Sequence, residues 1–222
     1  MEDYFKRLFN ATDITMIIDN INEMFNKVKK DMFSACHGRY HAMFVIDTVE
    51  YILKSLSYDS KTVEFGKIAA LLHDIGNIAG RWNHARKSAV LTVVFLDGLE
   101  NLTSEEKDII IQAIEDHSDA NNISSAIGAA LFIADKTDIS KRRILPVETI
   151  NVWSSNLLEI EDVNICVSDK TILINHITTE AFSKDILING YAQQFNTLIK
   201  AAEYLGCTCQ IQFNGTKENF AV

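Results

Sequence analysis

The stretch KIAALLHDIGNIAG, residues 67–80, decides how this chain reads. Its apolar run from Ile68 to Leu72 fits a buried helix and ends on an imidazole and a carboxylate, His73 and Asp74. An unpaired carboxylate in such surroundings costs several kcal/mol, roughly, so Asp74 demands a cation, a proton or hydrogen-bond donors. Asp135 is in the same position, because it follows the run Ala129-Ala130-Leu131-Phe132-Ile133-Ala134. The helix over roughly residues 62–74 is expected to stop at Gly76, where a missing β-carbon permits a left-handed closing turn.

Outward from this stretch, the hydrophobic period stays helical to about Asp138, which predicts about seven helices in one all-α unit. One covers Ile14 to Lys30, with Ile17, Ile18, Ile21, Met24, Phe25 and Val28 on one face; the next runs from about Tyr40 to Leu56. Another runs from an Asn83 N-cap to Gly98. Thr103 and Glu106 form a capping box that starts the helix carrying Ile110, Ile114 and His117. A further helix is rich in small residues from Ala126 to Ala134.

After Pro146 the period shifts from 3.6 to 2, which divides the chain into residues 1–146 and 147–222. Val163, Ile165 and Val167 alternate with polar residues, Ser168 and Asp169 supply a turn, and Thr171 to Ile177 returns as a second strand. A long helix follows, with Tyr191, Phe195, Leu198, Ala202 and Leu205 on one stripe and Gly206 as its stop. Cys207 to Phe213 is the last expected strand. The fold class is therefore mainly α: a helical bundle followed by a small α+β domain of three strands and one helix, with the metal-binding residues all in the first unit.

Composition narrows the class. Of the 222 residues 47% are hydrophobic and 23% charged, with a single proline, which excludes disordered and fibrous chains. No apolar run is long enough to span a bilayer, and the first residues lack the basic start of a signal peptide, so a cytoplasmic, soluble protein is expected. A net charge of -9 opposes nucleic acid and anionic membrane as partners and leaves small molecules or further copies of the chain. Cys36, Cys166, Cys207 and Cys209 form no CxxC pair and read as reduced packing residues.

The remaining histidines complete a pattern. His41, His84 and His117 fall at predicted helix ends, where neutral imidazoles can join His73, Asp74 and Asp135 around a divalent cation. A lone histidine is more often a surface or satisfied core residue; the ordered set carries the meaning. His41, His73-Asp74, His84, His117 and Asp135, in the words "HGRYHAMFVIDTVEYI", "ALLHDIGN", "NHARKSAVL" and "LFIADKTDISKRR", resemble the HD-domain superfamily of metal-dependent phosphohydrolases over about residues 37–143.

That resemblance implies an HD-domain helical bundle and an enzyme. One metal would be held by His41, His73, Asp74 and Asp135, and a second by Asp74, His84 and His117. Two divalent ions per chain are implied, with iron, manganese, cobalt, nickel and zinc not distinguished. The implied reaction is attack of a metal-bound hydroxide on a phosphoester or phosphoanhydride of a small, nucleotide-like substrate, with His73 and Asp74 at its centre. Arg81, Lys87, Lys136 and Arg142 are the candidate phosphate binders, each otherwise an ordinary solvated cation. His37, four residues before His41, is expected to line the entrance.

Asn77 stands where many two-metal relatives have lysine, and His117-Ser118-Asp119-Ala120 lacks the Gly-Tyr-Pro run of cyclic dinucleotide phosphodiesterases. Bacterial HD-type dinucleoside tetraphosphate hydrolases are more similar, though the eleven residues from His73 to His84 are a shorter spacing than theirs. Two other readings share the ligand pattern: a diiron oxygenase, and a regulatory module that retains the metal without catalysis.

Overall fold

The computed structural model describes residues 3–28, 37–144 and 152–218. Lys30, Cys36 and Pro146 lie outside these, as do the side chains of Met24, Phe25 and Val28. The first unit contains α1 (Tyr4–Phe9), α2 (Thr12–Val28), α3 (Arg39–Ser55), α4 (Ser60–Leu72), α5 (His84–Asp97), α6 (Ser104–Asp116) and α7 (Ala126–Thr137).

Most of these helices start where a side-chain oxygen can take up orphan amides. Asp59 accepts from the amides of Lys61 and Thr62 before α4, and Ser125 accepts from Gly128 before α7. Thr103 and Glu106 form the full reciprocal capping box before α6, worth about 1 kcal/mol. Asn83 departs from expectation. It precedes α5 in a left-handed conformation (φ 56°) and its side chain caps nothing.

Gly76 departs as well. It sits in a 3-10 turn, Ile75–Ala79, and is not among the residues with positive φ. What requires glycine is proximity: a β-carbon there would lie 2.3 Å from the Ser88 amide nitrogen and 2.5 Å from the His84 carbonyl oxygen. The turn after His73-Asp74 is thus pressed directly against the start of α5.

At the centre, α7 is apolar almost all round, and Ala129 to Ala134 are at most 2% exposed. Such a helix is stable only when neighbours cover every side. Here α3, α4 and α6 cover three of them and the long helix Lys184–Tyr204 the fourth.

The second unit consists of α8 (Val152–Leu158), β1 (Ile160–Ser168), β2 (Thr171–Thr178), α9 (Lys184–Tyr204), β3 (Thr208–Phe213) and β4 (Thr216–Glu218). The strands lie in chain order; β1 and β2 pair antiparallel across a turn at Asp169-Lys170, β2 and β3 pair parallel, and β3 and β4 antiparallel. The sheet thus has four strands where three were expected. Asn214 (φ 47°) and Gly215 (φ 80°) make a two-residue turn that sends β4 back along β3, the conformation for which Asn-Gly is best suited.

α9 is the crossover between parallel strands β2 and β3. It closes at Gly206 (φ 68°), where the amides of Gly206 and Cys207 bond back to Glu203 and Ala202. Phe195, Leu198 and Ala202 on α9 and Ile172, Ile174 and Ile211 on the sheet are buried in one hydrophobic core with the helices of the first unit. No helix of the described residues is long and apolar enough to cross a membrane.

Candidate metal centre

Helix ends converge on one buried point. His41 lies in the first turn of α3, His73 caps the C-terminus of α4 with Asp74 after it, His84 opens α5, His117 caps α6, and Asp135 is in the last turn of α7. His41, His73 and His117 are at most 1% exposed.

The last turn of a helix leaves carbonyls without intrahelical partners. His73 Nδ1 donates to the Ala70 carbonyl at 2.7 Å, and His117 Nδ1 donates in the same way to Ile114. Each ring thereby satisfies its own helix end, and its Nε2 lone pair is left facing the cluster. His41 reaches the same state through a carboxylate, its Nδ1 lying 2.7 Å from Asp138 Oδ2. An acceptor on the far nitrogen fixes both the tautomer and the orientation of a metal-binding imidazole.

The inward atoms form two adjoining groups. In one, His41 Nε2 is 3.3 Å from His73 Nε2 and 3.2 Å from Asp135 Oδ1, and Asp74 Oδ2 is 3.3 Å from His73 Nε2. In the other, His84 and His117 bring their Nε2 atoms to 3.2 Å, and Asp74 Oδ1 is 3.6 Å from His84 Nε2. Ligands at about 2.0–2.2 Å from a shared ion stand about 3–3.5 Å apart, the spacing of the first group, and His41-His73-Asp135 and His73-Asp74-His117 each bring their ligand atoms within 4.8 Å of one another.

Protonation suits cation binding. Burial alone would raise the Asp74 and Asp135 carboxyls. His73 and His37 beside Asp74, and Lys136 and His41 beside Asp135, hold both well below the usual carboxylate range. Burial lowers His117 to about 3 and also lowers His84, so both are neutral lone-pair donors. His73 is raised, because Asp74 outweighs the burial that would lower it, and the cluster draws positive charge to this point. Neutral His84 and His117 with ionised Asp74 and Asp135 are donors that fit a divalent metal ion, which would take the place of the His73 proton.

Around the ligands lies a cavity of about 130 Å³. Arg81, Lys136 and Arg143 face it together with His37, Asp74, His84 and Asp135. Lys136 Nζ is 2.7 Å from Asp135 Oδ2, and Arg81 contacts His37. Two predicted phosphate binders lie elsewhere. Lys87 donates to the carbonyls of Ala79 and Gly80, and Arg142 pairs with Asp162 at 2.7 Å. Arg143, one residue on, turns inward instead and sits 3.6 Å from Asp138.

Residues 39–141 match the HD domain. The HD match ends within the 3-10 turn Lys141–Arg143 that brings Arg143 to the cavity. A crystal structure described as a predicted HD superfamily hydrolase, from an uncultured Thermotogales bacterium, is 22% identical; the alignment covers 58% of this chain and 67% of that one, with a TM-score of 0.44. No curated protein matches the chain.

Several contributors were not legible as such. His37 precedes α3, whose N-cap is Gly38, so it does not share a helix face with His41. It is 4% exposed and its Nδ1 donates to Asp74 Oδ2 at 2.7 Å, inside the centre and not at an entrance. Asn77 Nδ2 donates to the other oxygen, Oδ1, at 2.6 Å. From the second unit, Leu157, Tyr191 and Gln194 line the cavity, and Gln194 Nε2 donates to the Lys136 carbonyl at 2.6 Å. The described part of the second unit therefore reaches the site through α8 and α9, and α9 is the neighbour that α7 needs on its fourth side.

Proposed function

We propose that the protein is a divalent-metal-dependent hydrolase of phosphoesters or phosphoanhydrides in small, nucleotide-like molecules, acting in the cytoplasm. The six residues His41, His73, Asp74, His84, His117 and Asp135 would hold two ions. The observation that carries this reading is the placement of Asp74, whose Oδ2 faces His73 and whose Oδ1 faces His84. A carboxylate with its two oxygens directed at two imidazole groups could serve as a ligand in both.

Divalent ions at this point would supply an activated water at neutral pH and neutralise phosphoryl charge. The chain's own groups do the rest. His37 and Asn77 fix the plane of the Asp74 carboxylate by donating to one oxygen each. Arg81, Lys136 and Arg143 provide cationic walls that attract and orient a phosphoryl group and favour the extra negative charge of its transition state. Gln194, tied to the Lys136 backbone, and Leu157 exclude bulk water on the α9 side, which strengthens those charge interactions.

The test is metal analysis of protein purified without chelator, together with turnover of a phosphoester, nucleotide and dinucleotide panel. About two ions per chain and release of phosphate or a nucleotide are expected. Oxygen consumption without phosphoester cleavage would replace hydrolysis with an oxygenase, and full metal loading with no turnover would favour a regulatory role.

A further inference from the structure

We infer that Trp82 is a stacking platform for the aromatic base of the substrate; this rests on the phosphoester reading above and narrows the substrate class to nucleotides. The cavity is partly open to solvent, so the rest of a phosphoester bound beside the ligands can extend past its rim.

Trp82 lies between two cavity-lining residues in the chain, Arg81 and His84. The His84 amide bonds to the Arg81 carbonyl at 3.2 Å, making a turn whose two end residues both line the cavity and whose tip is Trp82 and Asn83. The indole is 85% exposed. Tryptophan so placed forgoes nearly all the apolar burial it could contribute to folding, which suits a ring kept available for a ligand.

The turn is built to hold that tip in place. Gly80 (φ 92°) and Asn83 (φ 56°) flank it in left-handed conformations, and strain of that kind in a non-glycine residue concentrates at functional loops. Lys87 Nζ braces the segment from α5 through the carbonyls of Ala79 at 2.8 Å and Gly80 at 3.0 Å. Arg81 meanwhile reaches inward to His37. A phosphate-binding cation and an exposed π-face are thus consecutive residues on one braced turn, the two chemistries a nucleotide presents at its two ends.

The test exploits the fact that the chain has two tryptophans, Trp82 and Trp153. In full-length Trp153→Phe, Trp82 is the sole indole emitter. AMP should quench it saturably, and ribose 5-phosphate, which carries the same phosphate without a base, should not. In the otherwise native chain, Trp82→Ala should lower the kcat/KM ratio for AMP over ribose 5-phosphate at least about tenfold, and Trp82→Phe should retain most of it. Equal quenching by both ligands, no quenching by AMP, or an unchanged ratio overturns the stacking role while leaving hydrolysis standing. A blue shift that grows with protein concentration and ignores AMP makes Trp82 a contact between copies and also overturns it. Base-dependent quenching without turnover of any phosphoester supports stacking and overturns hydrolysis instead.

Discussion

His41 Nδ1 and Asp138 Oδ2 lie 2.7 Å apart in the core, with Asp138 4% exposed and itself bracketed by Arg142 and Arg143. The carboxylate orients the ring and holds its N–H on Nδ1. Asp138→Asn keeps an acceptor for the ring N–H and removes the charge. Metal affinity should fall about 10–100-fold, read by competition with a chelator, with the circular dichroism spectrum unchanged. Unaltered affinity would mean that Asp138 only fills space.

The ligand assignment separates by stoichiometry. His73→Ala and Asp74→Ala should each abolish metal-dependent turnover, since Asp74 serves both groups of ligands. His84→Ala and His117→Ala should lower bound metal from about two ions to about one. Mass spectrometry of the purified variants decides this, and one ion per chain in the native protein would remove the second site.

Gly76→Ala probes how the centre depends on packing. With a β-carbon 2.3 Å from the Ser88 nitrogen, α5 must shift away from the turn that follows Asp74. A loss of about 1–3 kcal/mol in stability is expected, as for an overpacked core, along with weaker binding of the ion held by His84. Denaturant unfolding and metal titration measure the two effects, which should appear together.

His176 gives the fold a pH dependence remote from the centre. It is fully buried on β2 and stacked on Phe213 at 5.2 Å, with the Gln212 backbone as the polar group beside its ring. Burial lowers its pKa to about 4, against 6.5 for the free side chain. The folded protein therefore disfavours the protonated ring. This contribution to stability is complete above pH 6.5 and is lost as pH falls through 6.5 toward 4. The loss is about 2 kcal/mol at pH 5. His176→Phe, which preserves the ring stack, should flatten the difference between unfolding measured at pH 7.5 and at pH 5. An identical pH slope in the variant would assign the effect to the carboxylates.

The six proposed ligands were legible because each is a titratable residue ending or opening an apolar helix, a pattern local sequence displays. Asp138 offered a weaker signal, a second acid three residues beyond Asp135. Arg143 could not be told from Arg142, since a 3-10 turn rotates about 120° per residue and one step redirects the side chain entirely. Tyr191 and Gln194 carry no local mark, because they reach the cavity through a crossover helix whose stripe only announces that it covers something. The fourth strand is signalled only by the Asn214-Gly215 turn, since Thr216–Glu218 has no apolar alternation.

The crossover also sets the order in which the molecule can be assembled during synthesis. All six proposed ligands have been translated by Asp135, but the Gln194 contact to the Lys136 carbonyl closes a loop of 58 residues, and β3, which pairs beside β2, follows α9 in the chain. A nascent chain that has just produced α7 therefore carries the metal-binding residues with one side of that apolar helix still wet. Ion capture at that stage would tie the helix ends together and reduce the entropy left to lose when α9 arrives. Metal supply during translation would then govern the yield of folded protein as well as its activity.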